Sequence, residues 1–257
     1  MVENKFIKDV RLIRTGDLLL FSNMSHTSMG IRLTTSSMWN HVGVAVWFGT
    51  QETMKLFPGY VNDQKEEEID RIREEPMRLY CFESNNNAVY DRVSSTFTSG
   101  VRLVPIDTLL DRYDYIAWRP VCFHRDVVFY QRLWAFIEDY CGQKYHKDPI
   151  RMVLSALNVH LDKFEPEGND VFCSQLVARL FQYFKLLPAE PPAYTYLPRH
   201  FASDSNYISE ECFEAPEIIF YTKPFLSIYI LGFMVVLFVI IWIGLLWINR
   251  KTKFVAV

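Results

Sequence analysis

The sequence predicts an α+β domain over residues 1–222, followed by one C-terminal transmembrane helix within residues 223–257. Three observations predict it. Half of the 257 residues are hydrophobic and 22% are charged, which supports a packed core and excludes a disordered or fibrous chain. Short apolar, β-branched runs come first and helical spacing takes over afterwards, so strands and helices are segregated. From Pro224 to Ile248 the chain reads PFLSIYILGFMVVLFVIIWIGLLWI without a charge, and roughly 20 apolar residues suffice to cross a bilayer as a helix.

The elements follow in order. Asp17–Phe21 is an apolar run leaving the turn Thr15-Gly16 and predicts a strand. A stretch rich in Ser and Thr leads to His41-Val42-Gly43-Val44-Ala45-Val46-Trp47-Phe48, a buried strand. Residues 61–77 carry too much charge for a core and predict a solvated loop or surface helix. Arg78–Glu83 is the next strand, closed by the turn-prone Ser84-Asn85-Asn86-Asn87. Val101–Val104 and Tyr115–Trp118 are further strands, with a helical turn over Asp107–Tyr113 between them. Val128, Leu133, Phe136, Ile137 and Tyr140 recur at helical spacing, with Gly142 at the capping position. A second helix opens near Asn169 or Asp170, buries Phe172, Leu176, Val177, Leu180, Phe181 and Phe184, and stops before Pro188. Glu217–Tyr221 predicts a last strand.

Charge is unevenly distributed. Lys223, Arg250, Lys251 and Lys253 are the only charged residues from Lys223 onward, so 23 of the 27 basic residues face 30 acidic ones within 1–222. A domain near −7 without a basic stripe is a poor nucleic-acid binder. The five cysteines, Cys81, Cys122, Cys141, Cys173 and Cys212, are odd in number and irregular in spacing, which excludes a disulfide scaffold and a zinc site. The N-terminus lacks the apolar stretch of a signal peptide. One span near the C-terminus is therefore expected to be a tail anchor in a membrane, with the catalytic domain in the cytosol. The basic residues after the span favour the opposite orientation, but exporting over 200 residues without a signal is the harder event.

Cys173 is the residue from which chemistry can be built. It falls in the first turn of a helix, where free N–H groups and a partial positive charge stabilise a thiolate and an oxyanion. His41 opens a strand, and a rigid strand end holds a general base more precisely than a loop does. If strands 41–48 and 78–83 pair antiparallel, Glu83 lies at the same sheet edge as His41, where a carboxylate fixes the imidazole tautomer. Taken singly, each residue has an ordinary reading: a buried thiol, a rim histidine, a solvated glutamate.

Together the residues resemble a known family. Gly16-Asp17 before a strand, Asn40-His41-Val42-Gly43-Val44, Gly142-Gln143-Lys144-Tyr145 and Phe172-Cys173-Ser174-Gln175-Leu176-Val177 occur in the order of the circularly permuted papain-like (NlpC-type) cysteine hydrolases. The match is nearest to the YiiX-like branch. It covers most of residues 14–205, with 59–77 as an insertion. The resemblance implies an antiparallel sheet packed on helices, with Cys173 as nucleophile, His41 as general base and Glu83 as its orienting residue. Two positions depart from the family pattern: Ser84 stands where Ala is common, and Gln175 where Glu is frequent. The implied reaction breaks an amide or ester bond through a Cys-linked acyl-enzyme and needs no metal or organic cofactor. The implied partners are the membrane lipid bilayer and a lipid or peptide substrate. Relatives that end in a membrane helix favour a lipid. Peptide or isopeptide cleavage is the alternative, and a catalytically silent tail-anchored adaptor is the alternative of another class.

Overall fold

The computed structural model describes residues 10–23, 37–49, 77–145 and 170–221. Six strands form one sheet: β1 (Leu18–Ser22), β2 (His41–Phe48), β3 (Arg78–Asp91), β4 (Thr96–Pro105), β5 (Tyr115–Arg119) and β6 (Ile218–Tyr221). Their order is β4-β3-β2-β1-β5-β6, and every neighbouring pair is antiparallel. Among the described residues three α-helices accompany the sheet: α1 (Ile106–Leu110), α2 (Val127–Tyr140) and α3 (Cys173–Tyr183).

The central strands β1 and β2 are almost continuously apolar and buried because both faces of the sheet are covered there. Alternation along β1 divides its side chains between two cores. Leu18 and Leu20 join Val42, Val44, Val46 and Phe82 on one side, packed with Phe129, Leu133 and Ile137 of α2 and Leu176, Val177 and Leu180 of α3. Leu19 and Phe21 join Ala45, Cys81, Val104 and Ile116 on the other, packed with Ile106 and Leu109 of α1 and with Tyr113. Each fully buried side chain of this kind contributes about 1.5–3 kcal/mol relative to exposure. Helix α2 starts where Asp126 accepts a 2.8 Å hydrogen bond from the Phe129 N–H, a side-chain cap that satisfies one open donor of the first turn. It ends just before Gly142, which takes the left-handed conformation at φ +83°.

Two boundaries differ from expectation. Helix α3 opens at Cys173 rather than at Asn169 or Asp170, which moves the thiol to the first helical position. Strand β3 does not stop at Glu83 but continues to Asp91. The asparagine run is absorbed as an irregularity: the β3–β4 register shifts between Asn85 and Val89 and pairing then resumes through Tyr90 and Phe97. The Asn85 side chain accepts from the Asn87 N–H at 3.3 Å, so these residues make a bulge within the hairpin rather than a turn that ends it.

The expected fold class is corrected. The described residues form a mostly antiparallel sheet with few helices, and none of those helices is long and apolar enough to cross a membrane. The anticipated span, 224–248, and all but Met77 of the charged segment 59–77 lie outside the described residues. A single-pass C-terminal anchor, the membrane location and the cytosolic facing inferred from it therefore have no support in the structure. The chain divides into two compact units, Met1–Thr222 and Lys223–Val257.

Candidate active site

Strands β2 and β3 pair from Val44–Phe82 to Phe48–Arg78. Continued by one step, that register sets Gly43 beside Glu83, and the Glu83 side chain reaches diagonally to His41. The absence of a side chain at Gly43 is what opens this path. A Cβ there would fall against Cys81 Sγ and within 2.9 Å of the Phe82 carbonyl oxygen. His41 Nε2 lies 2.6 Å from Glu83 Oε2, with both side chains buried. The sequence reading chose these two residues, and the sheet brings them together.

Glu83 is held from its other side by Arg102 of β4, its register partner. Arg102 donates from Nε at 3.1 Å and from Nη2 at 2.8 Å to Glu83 Oε1. Its Nη1 donates to the Asn87 and Thr98 carbonyl oxygens. A fully buried guanidinium is tolerable only when paired and hydrogen-bonded in this way. Sequence reasoning missed Arg102, although it stands as a lone charge inside the apolar run Val101-Arg102-Leu103-Val104. It missed Tyr113 as well, whose ring stacks on His41 at 5.6 Å with planes 5° apart. Phe21 closes the imidazole from a third direction, its ring centroid 5.4 Å away.

Cys173 heads α3, which packs on β2 and β3. Three contacts fix the chain leading into it. Ser84 Oγ donates to the Val171 carbonyl oxygen at 2.6 Å, the Val171 N–H donates to the Lys144 carbonyl at 3.0 Å, and the Phe172 N–H donates to Gln175 Oε1 at 3.3 Å. The segment Gly142–Lys144 is pinned to β4 in turn by Val101 N–H to Gln143 O and Gly142 N–H to Val101 O, each 2.8 Å. Gly100, at φ +103°, leaves room for that approach, since a Cβ there would collide with the Gln143 carbonyl oxygen. Tyr145 meets the Phe172 ring edge-on at 5.8 Å. Ser84 thus joins the His41–Glu83 sheet to the Cys173 helix.

Electrostatics reinforce the grouping. Burial pushes the His41 imidazole down, but the charges of Cys173 and Glu83 and a hydrogen bond with each outweigh it and raise its pKa to about 10. With Nε2 committed to Glu83, the interaction with Cys173 falls to Nδ1. Burial likewise pushes the Glu83 carboxyl up, but His41 and Arg102 hold it at about 2. Burial and the nearby charges of Cys173 and Glu83 push the Tyr145 phenol up. The site is thus a buried row of alternating charge, Arg102–Glu83–His41, that leads to Cys173 at a helix N-terminus.

Other histidines behave differently. His124 is exposed beside Asp126. His200 is buried: its Nδ1 accepts from the Leu197 N–H at 3.2 Å and its ring stacks on Tyr207 at 3.9 Å. Among the described residues no group of three or more His, Cys, Asp or Glu side chains is placed to hold a metal ion.

No family model matches the chain, and no curated protein matches it. Five solved chains do. One is the crystal structure of the metalloprotein YiiX from Escherichia coli O157:H7, 17% identical with a TM-score of 0.39. The match covers 66% of this chain and 65% of that one, so this chain spans about two thirds of its length.

Proposed function

We propose that this protein is a cysteine hydrolase or acyltransferase that cleaves an amide or ester bond through a thioester on Cys173. The observation that carries the reading is the buried 2.6 Å pair of His41 Nε2 and Glu83 Oε2, which leaves the other imidazole nitrogen to the helix-start thiol.

The steps follow from that arrangement. At neutral pH the proton rests on His41, its Nδ1–H facing the Cys173 sulfur, and Glu83 stabilises that imidazolium. The thiolate sulfur attacks the carbonyl carbon, and the oxyanion formed accepts from the Cys173 backbone N–H at the start of α3. Collapse breaks the bond to the leaving amine or alcohol, which takes the proton from Nδ1. Water, or an acceptor alcohol or amine, then attacks the thioester, gives a proton to His41, and releases the acyl product with the thiolate–imidazolium pair restored. The preference for a lipid substrate rested on the C-terminal anchor and loses that footing.

A thiol-directed epoxide or acyl probe tests this reading on folded protein whose other cysteines are replaced by Ser. Labelling confined to Cys173 and abolished by His41→Ala is the expected result. An unreactive Cys173 would return it to the role of a buried structural thiol.

A further inference from the structure

A cavity of about 500 Å³ is lined by Asn23, Asn87, Ala88, Arg112 and Tyr113. Three of these residues connect it to the site. Tyr113 stacks on His41, and its hydroxyl accepts from Asn85 Nδ2 at 3.1 Å. The Asn87 carbonyl accepts from Arg102, the guanidinium that holds Glu83. Asn23 accepts from Asn40 Nδ2, adjacent to His41, through its carbonyl at 3.3 Å and its Oδ1 at 3.2 Å. The cavity wall is therefore built from residues that also position the imidazole and its carboxylate.

The lining defines what fits. It presents a guanidinium, two carboxamides and a phenol, with a single methyl group from Ala88. An acyl chain seated here would strip water from those polar groups without replacing the hydrogen bonds, whereas lipid tails are held by apolar walls. Arg112 is exposed, and its guanidinium makes no ion pair among the described residues. The side-chain amide of Asn87 likewise has no hydrogen bond among them. A guanidinium beside an amide donor is suited to an oxyanion, which a fork of N–H groups holds with charge-assisted hydrogen bonds.

We propose that this cavity is a substrate subsite for a carboxylate, held by Arg112 and Asn87 beside the stacked Tyr113–His41 pair, so that the substrate is a carboxylate-bearing peptide amide rather than a lipid ester. This rests on the hydrolase reading above and names the substrate class of the same site.

Equilibrium binding to the full chain carrying Cys173→Ala tests the subsite without requiring turnover. The probes are N-acetyl-dialanine, its C-terminal amide, inorganic phosphate and methyl decanoate. The acid should bind about tenfold more tightly than the amide, the difference expected of one charge-assisted contact. Arg112→Gln should erase that preference and Arg112→Lys should retain part of it; the side chain is exposed, so both variants should fold. Equal binding of acid and amide, or a preference unchanged in Arg112→Gln, would overturn the subsite. Tighter binding of phosphate would overturn the carboxylate, and tighter binding of methyl decanoate would restore a lipid. Probe labelling of Cys173 in otherwise native protein reads the hydrolase reading separately, so either can fail alone.

Discussion

Glu83 gives one carboxylate oxygen to a histidine and the other to an arginine, and this division governs how the site responds to pH. Its folded-state pKa is held near 2, so the stability it contributes is complete above the ordinary value of 4.5 and is lost as the pH falls toward 2. That of His41 is raised to about 10, so its contribution is complete below 6.5 and fades as the pH rises through 10. Both act fully only between those ordinary values. Urea melts across pH should show the pair's stabilisation greatest in that interval, and His41→Gln should flatten the alkaline limb. Cys173→Ala, which removes one of the charges that hold the imidazolium, should move that limb to lower pH. Removing Arg102 tests the other oxygen. Arg102→Met leaves a buried carboxylate short of one partner, and should cost about 3–5 kcal/mol in chemical denaturation. Arg102→Lys should recover only part, because an ammonium cannot fork to Glu83 and two carbonyl oxygens together. In turnover assays Cys173→Ala and His41→Ala should each abolish activity, with the double variant no worse than either, because the two act as one unit.

Elements set how much of this was legible in the sequence. Strand β2 was readable to the residue, because a short apolar, β-branched run follows His41, and the antiparallel pairing with 78–83, stated as a condition, is the one the sheet has. The extension of β3 was not readable. Ser84-Asn85-Asn86-Asn87 has the composition of a turn, and only the Arg102 guanidinium gripping the Asn87 carbonyl shows that the run is a bulge tied to β4. Arg102 itself was hidden for the same reason: a charge in an apolar strand gains meaning only from the residue opposite, and register is a tertiary fact. The start of α3 was read a few residues early because Asn169 and Asp170 have cap chemistry, whereas the chain enters the helix through backbone bonds to Lys144 and Ser84. That entry can be tested. Ser84→Ala loses a buried 2.6 Å bond and should lower stability by about 1 kcal/mol, yet it should reduce kcat more than this implies, since it frees the segment that aims Cys173. Gly43→Ala should lower stability by about 1–3 kcal/mol, because the new methyl group meets Cys81 and the β3 backbone.

At the scale of the whole molecule, the feature that joins distant parts of the chain is Asp17, in the turn before β1. Its carboxylate accepts from the Arg14 N–H at 2.8 Å, Trp118 Nε1 at 2.8 Å, the Val121 N–H at 3.0 Å and Arg125 Nη2 at 2.6 Å. One buried side chain thus fixes the N-terminal turn against β5 and against the segment leading to α2, over more than 100 residues of sequence. Arg125 depends on it in return: the same guanidinium also donates to the Thr15, Phe123 and Val121 carbonyl oxygens. Removing the carboxylate takes the nearer anion from a largely buried guanidinium, leaving Glu214 at 3.9 Å, and strands three N–H donors together. Asp17→Ala should therefore cost about 3–5 kcal/mol, a large share of the 5–15 kcal/mol typical of a folded domain. Asp17→Asn keeps the shape but turns one acceptor into a donor, so it should fall between native and Asp17→Ala. Urea denaturation of the three proteins, followed by tryptophan fluorescence, checks the order. Asp17 touches none of the reacting groups, so any Asp17→Asn protein that remains folded should label at Cys173 at the native rate. A labelling rate reduced in folded Asp17→Asn would show that the N-terminal turn shapes the active site as well as the fold.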